Sequence, residues 1–363
     1  MREVHVNNYK YEDELEFFIQ LLNKTALQEI GARDTVRIEN PPLDSPTEEE
    51  VADDVIRVDV RHSQSSALKK LHDIIVSPIA DLIEGNEQTF VPEGPFCLVP
   101  LAALQDSDSS YLSDSFRIRV LPSLTTLQLI HDCPADFHMK TGALLVGNPC
   151  FKDQGRRLVQ LTGARKEVEM IGRILNVSPL IREMATKHEV LKRISSVALV
   201  HIAAHGKMET GEVILAPNTT RENPQPQEKD YLLTMKDVRE AGMRARLVVL
   251  SCCHTARGEV MAKGVVCMAR ALLDAGARSV VVTLWAIGDE GTLEFISFLY
   301  DALAKGKKAS EALNQAMKCM REIEKFKEVI HWAPFVLIAK AVSIGIPECF
   351  RIPTNANIWT RNQ

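Results

Sequence analysis

At 363 residues, 45% hydrophobic and 25% charged, the chain has the composition of an ordinary globular protein and room for two domains. Its net charge of −5 and dispersed basic residues argue against nucleic acid as a partner, and no apolar run approaches the roughly 20 residues of a membrane span. Eight scattered cysteines without CxxC pairs, and an N-terminus (Met1-Arg2-Glu3-Val4-His5) with no apolar signal core, lead us to expect a cytoplasmic protein with reduced thiols.

Leu15, Phe18, Ile19 and Leu22 recur at helical spacing and predict an amphipathic helix over 11–30. Pro41-Pro42 and Ser45-Pro46-Thr47-Glu48-Glu49-Glu50 read as an exposed acidic link. A second helix is predicted over Ser66–Leu82, broken near Pro78. Thr89–Pro92 and Phe96–Pro100 read as short strands around a Glu93-Gly94 turn, and Phe116–Leu121 as another.

From Gly142 onward strands and helices alternate, the mark of a parallel α/β sheet. Strands are predicted at Ala143–Gly147, Pro179–Arg182, Leu199–His205, Glu212–Leu215, Leu247–Ser251, Ser279–Trp285 and Phe335–Ala339. Helices are predicted at Ala164–Leu175, Thr186–Ser195, Met235–Ala241, Val260–Ala275, Gly291–Lys305 and Ala309–Glu322. Thr186 and Glu189 have the spacing of a capping box. Pro217–Asp230, polar and holding three prolines, reads as a mobile loop, a lid or a partner-contacting segment. Lys305-Gly306-Lys307-Lys308 reads as a solvated helix end.

Two runs carry the chemistry. Val200-His201-Ile202-Ala203-Ala204-His205-Gly206 and Leu250-Ser251-Cys252-Cys253-His254-Thr255 are apolar strands that end abruptly in reactive side chains. Neighbouring parallel strands would set the imidazole of His205 beside a thiol, at the carboxyl edge where open α/β sheets gather their chemistry. The histidine precedes the cysteine by roughly 50 residues, the order of a caspase-type Cys/His dyad. Strand parity selects the thiol: Leu250 and Cys252 share one face, so Cys252 packs as a small hydrophobe while Cys253 at the turn is free to leave the sheet. His205 would take the thiol proton and return one to the leaving amine. The backbone N–H groups of Gly206 and Cys253 would form the oxyanion hole.

Other readings of these residues are blander. A buried Cys and a core His can simply end two strands, and His254 on an extended chain points away from its neighbour. His201, His205, Cys252, Cys253 and His254 do not make a zinc motif, because His-x-x-x-His here lacks the glutamate and its flanks are strand-like. Gly147-Asn148-Pro149 is not a dinucleotide-binding glycine loop. A redox-sensing thiol pair at Cys252/Cys253 has no resolving partner nearby in sequence. No metal and no cofactor are expected.

In these runs, and in their order with Val91-Pro92-Glu93-Gly94, Leu161-Thr162-Gly163-Ala164 with Glu167, Ala275-Gly276-Ala277, Leu284-Trp285 with Asp289, and His331-Trp332-Ala333-Pro334-Phe335, the chain resembles the CHAT domain. That family is caspase-like, related to separase, and associated with tetratricopeptide repeats. The resemblance implies a caspase-like, mostly parallel sheet flanked by helices in a catalytic portion at 137–363. A helical segment and a degenerate caspase-like portion would occupy 1–136. It places the family's histidine on His205 and its cysteine on Cys253, with His254-Thr255-Ala256 departing from the usual Glu-Thr-Gly.

The implied activity is a cysteine endopeptidase acting on protein or peptide substrates. The position matching the acidic residue of separase-like relatives is Asp289, which either faces a basic P1 side chain (Arg or Lys) or caps the helix that follows it. A tetratricopeptide-repeat region, of this chain or an associated one, is the implied partner. The alternative is a catalytically silent interaction module of a repeat protein.

Overall fold

The computed structural model describes residues 65–134, 136–150, 152–153, 156–157, 160–207, 210–218, 226–252, 262–285 and 287–339. The helix expected over 11–30 and the acidic link after it lie outside these residues.

In chain order the strands are β1 (Glu87–Phe90), β2 (Arg117–Val120), β3 (Ala143–Pro149), β4 (Lys152–Asp153), β5 (Arg156–Arg157), β6 (Leu180–Arg182) and β7 (Leu199–Ala203). They continue with β8 (His205–Gly206), β9 (Val213–Ile214), β10 (Leu232–Leu233), β11 (Leu247–Leu250), β12 (Ser279–Thr283) and β13 (Phe335–Ala339). The principal helices are α1 (residues 65–75), α2 (Leu124–His131), α3 (Thr162–Leu175), α4 (Lys187–Ile194), α5 (Met235–Ala241), α6 (Ala262–Asp274), α7 (Asp289–Ala304) and α8 (Ala309–Glu322).

Eight strands form one sheet in the order β1-β2-β13-β12-β11-β7-β3-β6. All neighbours are parallel except β12 and β13. The mixed α/β class with a mostly parallel sheet is thus the one expected. β1 and β2, which precede residue 137, pair into the same sheet as the strands that follow it.

Helices cover both faces, as a parallel sheet requires. Leu145, Leu199, Leu247, Val249 and Val281 point to α3, α7 and α8, while Leu144, Val200, Val248, Leu250 and Val280 point to α4, α5 and α6. The strands are apolar on both sides yet still alternate between two cores, because successive side chains leave opposite faces. Phe295 of α7 stacks on Phe335 of β13, with ring centroids 3.6 Å apart. Near β3 and α3 the packing tolerates no side chain at position 147, where a Cβ would overlap Val168.

Several expectations fail for local reasons. Phe96–Pro100 is not a strand; Gly94–Leu98 makes a 3-10 turn that starts at Gly94 with φ +54° and has proline near its first position. A proline cannot donate to a strand ladder, and its fixed φ suits a helical turn. The strand expected to run through His205 ends at Ala203: Ala204 bends the chain, and His205 and Gly206 enter a separate three-stranded sheet, opposite Ile214 and Val213. In the expected loop Pro217–Asp230, the described end at Glu228–Tyr231 is a helical turn, and residues 219–225 lie outside the description. Only half of the capping box forms: Thr186 Oγ1 accepts from Glu189 N at 3.2 Å, while the Glu189 carboxylate is held by Arg193. No helix among the described residues is long and apolar enough to cross a membrane.

Candidate active site

β3, β7, β11 and β12 run parallel, so their carboxyl ends share one edge of the sheet. Four positions of interest lie at that edge: Asn148 in the last residues of β3, His205 after β7, Cys252 after β11, and Asp289 at the start of α7 after β12. β7 and β11 are direct neighbours, with Leu250 opposite Ile202 and Ser251 N donating to Ile202 O at 2.9 Å. The adjacency on which the dyad expectation depends is therefore met.

His205 is 5% exposed, and the bend at Ala204 sets it on the hairpin of β8 and β9 rather than in the main sheet. A backbone bond from Lys207 N to Glu212 O, 2.7 Å, continues that hairpin. Gly206, proposed for the oxyanion hole, is half-buried beside it. Cys253, with its thiol and backbone N–H, and His254 lie outside the described residues.

Cys252 is described, and it behaves as parity predicts. It packs against the core face that holds Leu250. Burial pushes its thiol up to about 12, only partly offset by a hydrogen bond from the Ala204 backbone. A thiol with so high a pKa is a poor nucleophile at neutral pH. At about pH 8 iodoacetamide should therefore alkylate Cys252 on the order of 10³-fold more slowly than an ordinary exposed thiol, as peptide mass mapping would show. The folded-state pKa lies above the unfolded value of 9.0, so this group's contribution to stability is complete below that pH and is lost as pH rises toward about 12.

Asp289 opens α7 but does not cap it; the N-cap is Gly288, and no side chain caps that end. Its Oδ2 instead accepts from Gly163 N, 3.0 Å away, in the first turn of α3. Asn148, held at φ +47° just past the core of β3, accepts from Leu161 N with Oδ1 at 2.9 Å. The N-terminus of α3 is thus satisfied by two side chains from other elements, in place of a local N-cap. Gly163 makes this possible, since a Cβ there would overlap the Asp289 carboxylate. Neither Asn148 nor Gly163 was legible as a site residue. Both act over more than 10 positions in sequence; Gly163 has its local sign in the Leu161-Thr162-Gly163-Ala164 run that carries the resemblance, and Asn148 only in a Gly-Asn-Pro sequence at the end of a strand.

One further polar group lies beneath the edge. His201 of β7, fully buried, stands on the face otherwise occupied by Leu199 and Ala203. Its Nδ1 is 3.0 Å from Tyr300 Oη of α7, and its Nε2 is 2.9 Å from Glu167 Oε1 of α3. The ring N–H is out of line for a hydrogen bond to that oxygen, so the second contact is electrostatic. Burial, and secondarily the Glu167 charge, holds the Tyr300 hydroxyl well above its ordinary pKa, so it stays protonated. Among the described residues no cluster of His, Cys, Asp and Glu could hold a metal ion.

The profile of the CHAT domain matches residues 65–340. The chain belongs to the CHAT domain family. It is 29% identical over 329 residues to mouse tetratricopeptide repeat protein 28, and 28% identical over 328 residues to the human protein of that name. Each match covers 77% of this chain and only 13% of the relative's length. Among solved structures it is similar to the Saccharomyces cerevisiae separase in its complex with securin, at 14% identity, 90% coverage of this chain, 22% of that chain and a TM-score of 0.48. It is also similar to the Arg-specific cysteine proteinase gingipain R, at 12% identity, 93% and 76% coverage and a TM-score of 0.44.

Proposed function

We propose that this CHAT domain is a cysteine endopeptidase module with Cys253 as nucleophile and His205 as general acid and base. The observation that carries the reading is the direct parallel pairing of β7 with β11, whose carboxyl ends lead into His205 and into Cys252-Cys253. His205 takes the Cys253 thiol proton, and the thiolate attacks the scissile carbonyl carbon. The N–H groups of Gly206 and Cys253 take the developing oxyanion. The imidazolium then protonates the leaving amine as the C–N bond breaks, and a water deprotonated by His205 hydrolyses the thioester.

Asp289 is proposed to face a basic P1 side chain. Its Oδ2 is committed to Gly163 N, so Oδ1 is the atom that meets a guanidinium or ammonium group. Peptides that differ only at P1 test this. Arg should exceed Leu in turnover, and Asp289→Asn, which keeps an acceptor for Gly163 N, should cut the Arg preference by about 10- to 100-fold, as loss of a charged hydrogen-bond partner does. Equal turnover of Arg and Leu by the wild-type chain would remove the acidic pocket.

The division near residue 137, with a degenerate caspase-like portion before it, belongs to the same proposal. So do a cytoplasmic setting with reduced thiols and attachment to a tetratricopeptide-repeat region. The free state of Cys97, Cys133, Cys252, Cys267 and Cys319 supports the redox setting. The names of the mouse and human relatives support the repeat partner.

A further inference from the structure

The polar group formed by Glu167, His201 and Tyr300 has no place in the chemistry written above, yet it occupies the centre of the core that supports it. We propose that these three are positioning residues, a buried polar bolt that fixes the strand end carrying His205 against the two helices whose ends meet at Asp289. The inference rests on the reading of His205 and Cys253 as a dyad.

Proton accounting defines the bolt. Among the described residues the Tyr300 hydroxyl has one hydrogen-bond partner, His201 Nδ1, and the imidazole tautomer sets which of the two donates. When the hydroxyl donates, the imidazole proton is on Nε2, 2.9 Å from the Glu167 carboxylate oxygen in an electrostatic contact and not a hydrogen bond. The three side chains are 0–4% exposed, so none can turn to water for a substitute partner. Buried polar groups with fixed partners specify one arrangement more strictly than an apolar contact does.

The connectivity explains why that strictness bears on the site. Glu167 sits in α3, four residues beyond Gly163. Tyr300 sits in α7, the helix that Asp289 opens. His201 sits in β7, four residues ahead of His205 and on the strand that leads into the bend at Ala204. Gly163 N and Asp289 Oδ2, 3.0 Å apart, join the same two helices at the sheet edge. One polar contact at the edge and one group in the core therefore lock α3, α7 and β7 together at two heights. An apolar residue at 201 would fill the space, but it would leave α3 and α7 free to slide against the strand.

The test uses the whole chain with its histidines labelled with carbon-13 at Cε1. The His205 signal is assigned by its loss in His205→Ala. Two quantities are read at room temperature: the His205 titration curve and the alkylation rate of Cys253. Tyr300→Phe removes one hydroxyl and keeps the ring. It should displace the His205 titration and slow Cys253 alkylation by about 10- to 100-fold, the cost of a small misplacement of reacting groups. Glu167→Gln keeps the shape and an acceptor oxygen, and should move both readouts in the same direction by less.

A role confined to stability would lower the melting temperature of both variants and leave both readouts at their wild-type values. That result would overturn the proposal. If circular dichroism finds Tyr300→Phe unfolded, Glu167→Gln decides by the same two readouts. The His205 titration requires no catalysis. A chain whose Cys253 takes no affinity label loses the peptidase reading, while displacement of the His205 curve still decides whether the bolt positions the imidazole.

Discussion

Replacing Cys253 or His205 with alanine should each lower turnover of an Arg-peptide substrate by at least about 10³-fold, while Cys252→Ala should stay within a few-fold of wild type. The two losses should be far from additive, because nucleophile and base act as one unit and either deletion already removes most of the advantage. The contrast between adjacent cysteines is the informative part. Cys252 is tied to the Ala204 backbone, packed on the core face of Leu250, and has its thiol pushed up to about 12. Cys253 is the next residue, on the opposite parity. Loss of turnover in Cys252→Ala comparable to that in Cys253→Ala would contradict the assignment. Steady-state kinetics on the three variants, each checked for a wild-type melting curve, gives the answer.

Trp332→Ala should be the most damaging core substitution, costing about 3–5 kcal/mol, the range for removing a fully buried aromatic side chain. Trp332 is 0% exposed, and its Nε1 donates to Lys327 O at 3.1 Å. Tyr111 meets its ring edge-on at 4.8 Å between centroids, and the Arg321 guanidinium lies over it at 4.8 Å. Arg321 also reaches Asp114 at 2.7 Å. Tyr111 and Asp114 belong to the portion before residue 137, so this cluster joins that portion to the helices and strands after it. Against a total stability of order 5–15 kcal/mol the loss is a large fraction. Urea denaturation should show it clearly, whereas Met184→Ala, at a side chain 62% exposed, should change stability by no more than about 0.5 kcal/mol. Equal midpoints for the two variants would mean that the cluster does not carry the junction.

Much of this architecture was legible because its signals are local. The Met235–Ala241 helix, the Ala309–Glu322 helix and the Phe335–Ala339 strand match their predicted bounds, each having a clear hydrophobic period or a flanking turn residue. Period could not reveal direction: β13 reads like its neighbours and yet runs antiparallel to β12. Nor could it show that His205 stands beyond a bend, since Ala203-Ala204-His205 continues the pattern of the strand. From sequence the Asp289 carboxylate reads as a cap for its own helix or a substrate contact; the structure sends it across to Gly163, a pairing of residues 126 apart in sequence. Glu167, His201 and Tyr300 are likewise joined over long separations, 99 residues between His201 and Tyr300. In the chain they read as one polar position on a helix, one polar interruption of a strand and one aromatic on another helix. Only the folded packing of α3, β7 and α7 gives them a common purpose.

The most direct measurement of the central claim is intact-mass labelling of the whole chain with an Arg-based acyloxymethyl ketone, followed by mapping of the adduct. The account predicts one adduct, on Cys253, present in wild type and Cys252→Ala and absent from Cys253→Ala and His205→Ala. An adduct on any other cysteine, or none on wild type even when a tetratricopeptide-repeat partner is supplied, would contradict it and favour a catalytically silent interaction module.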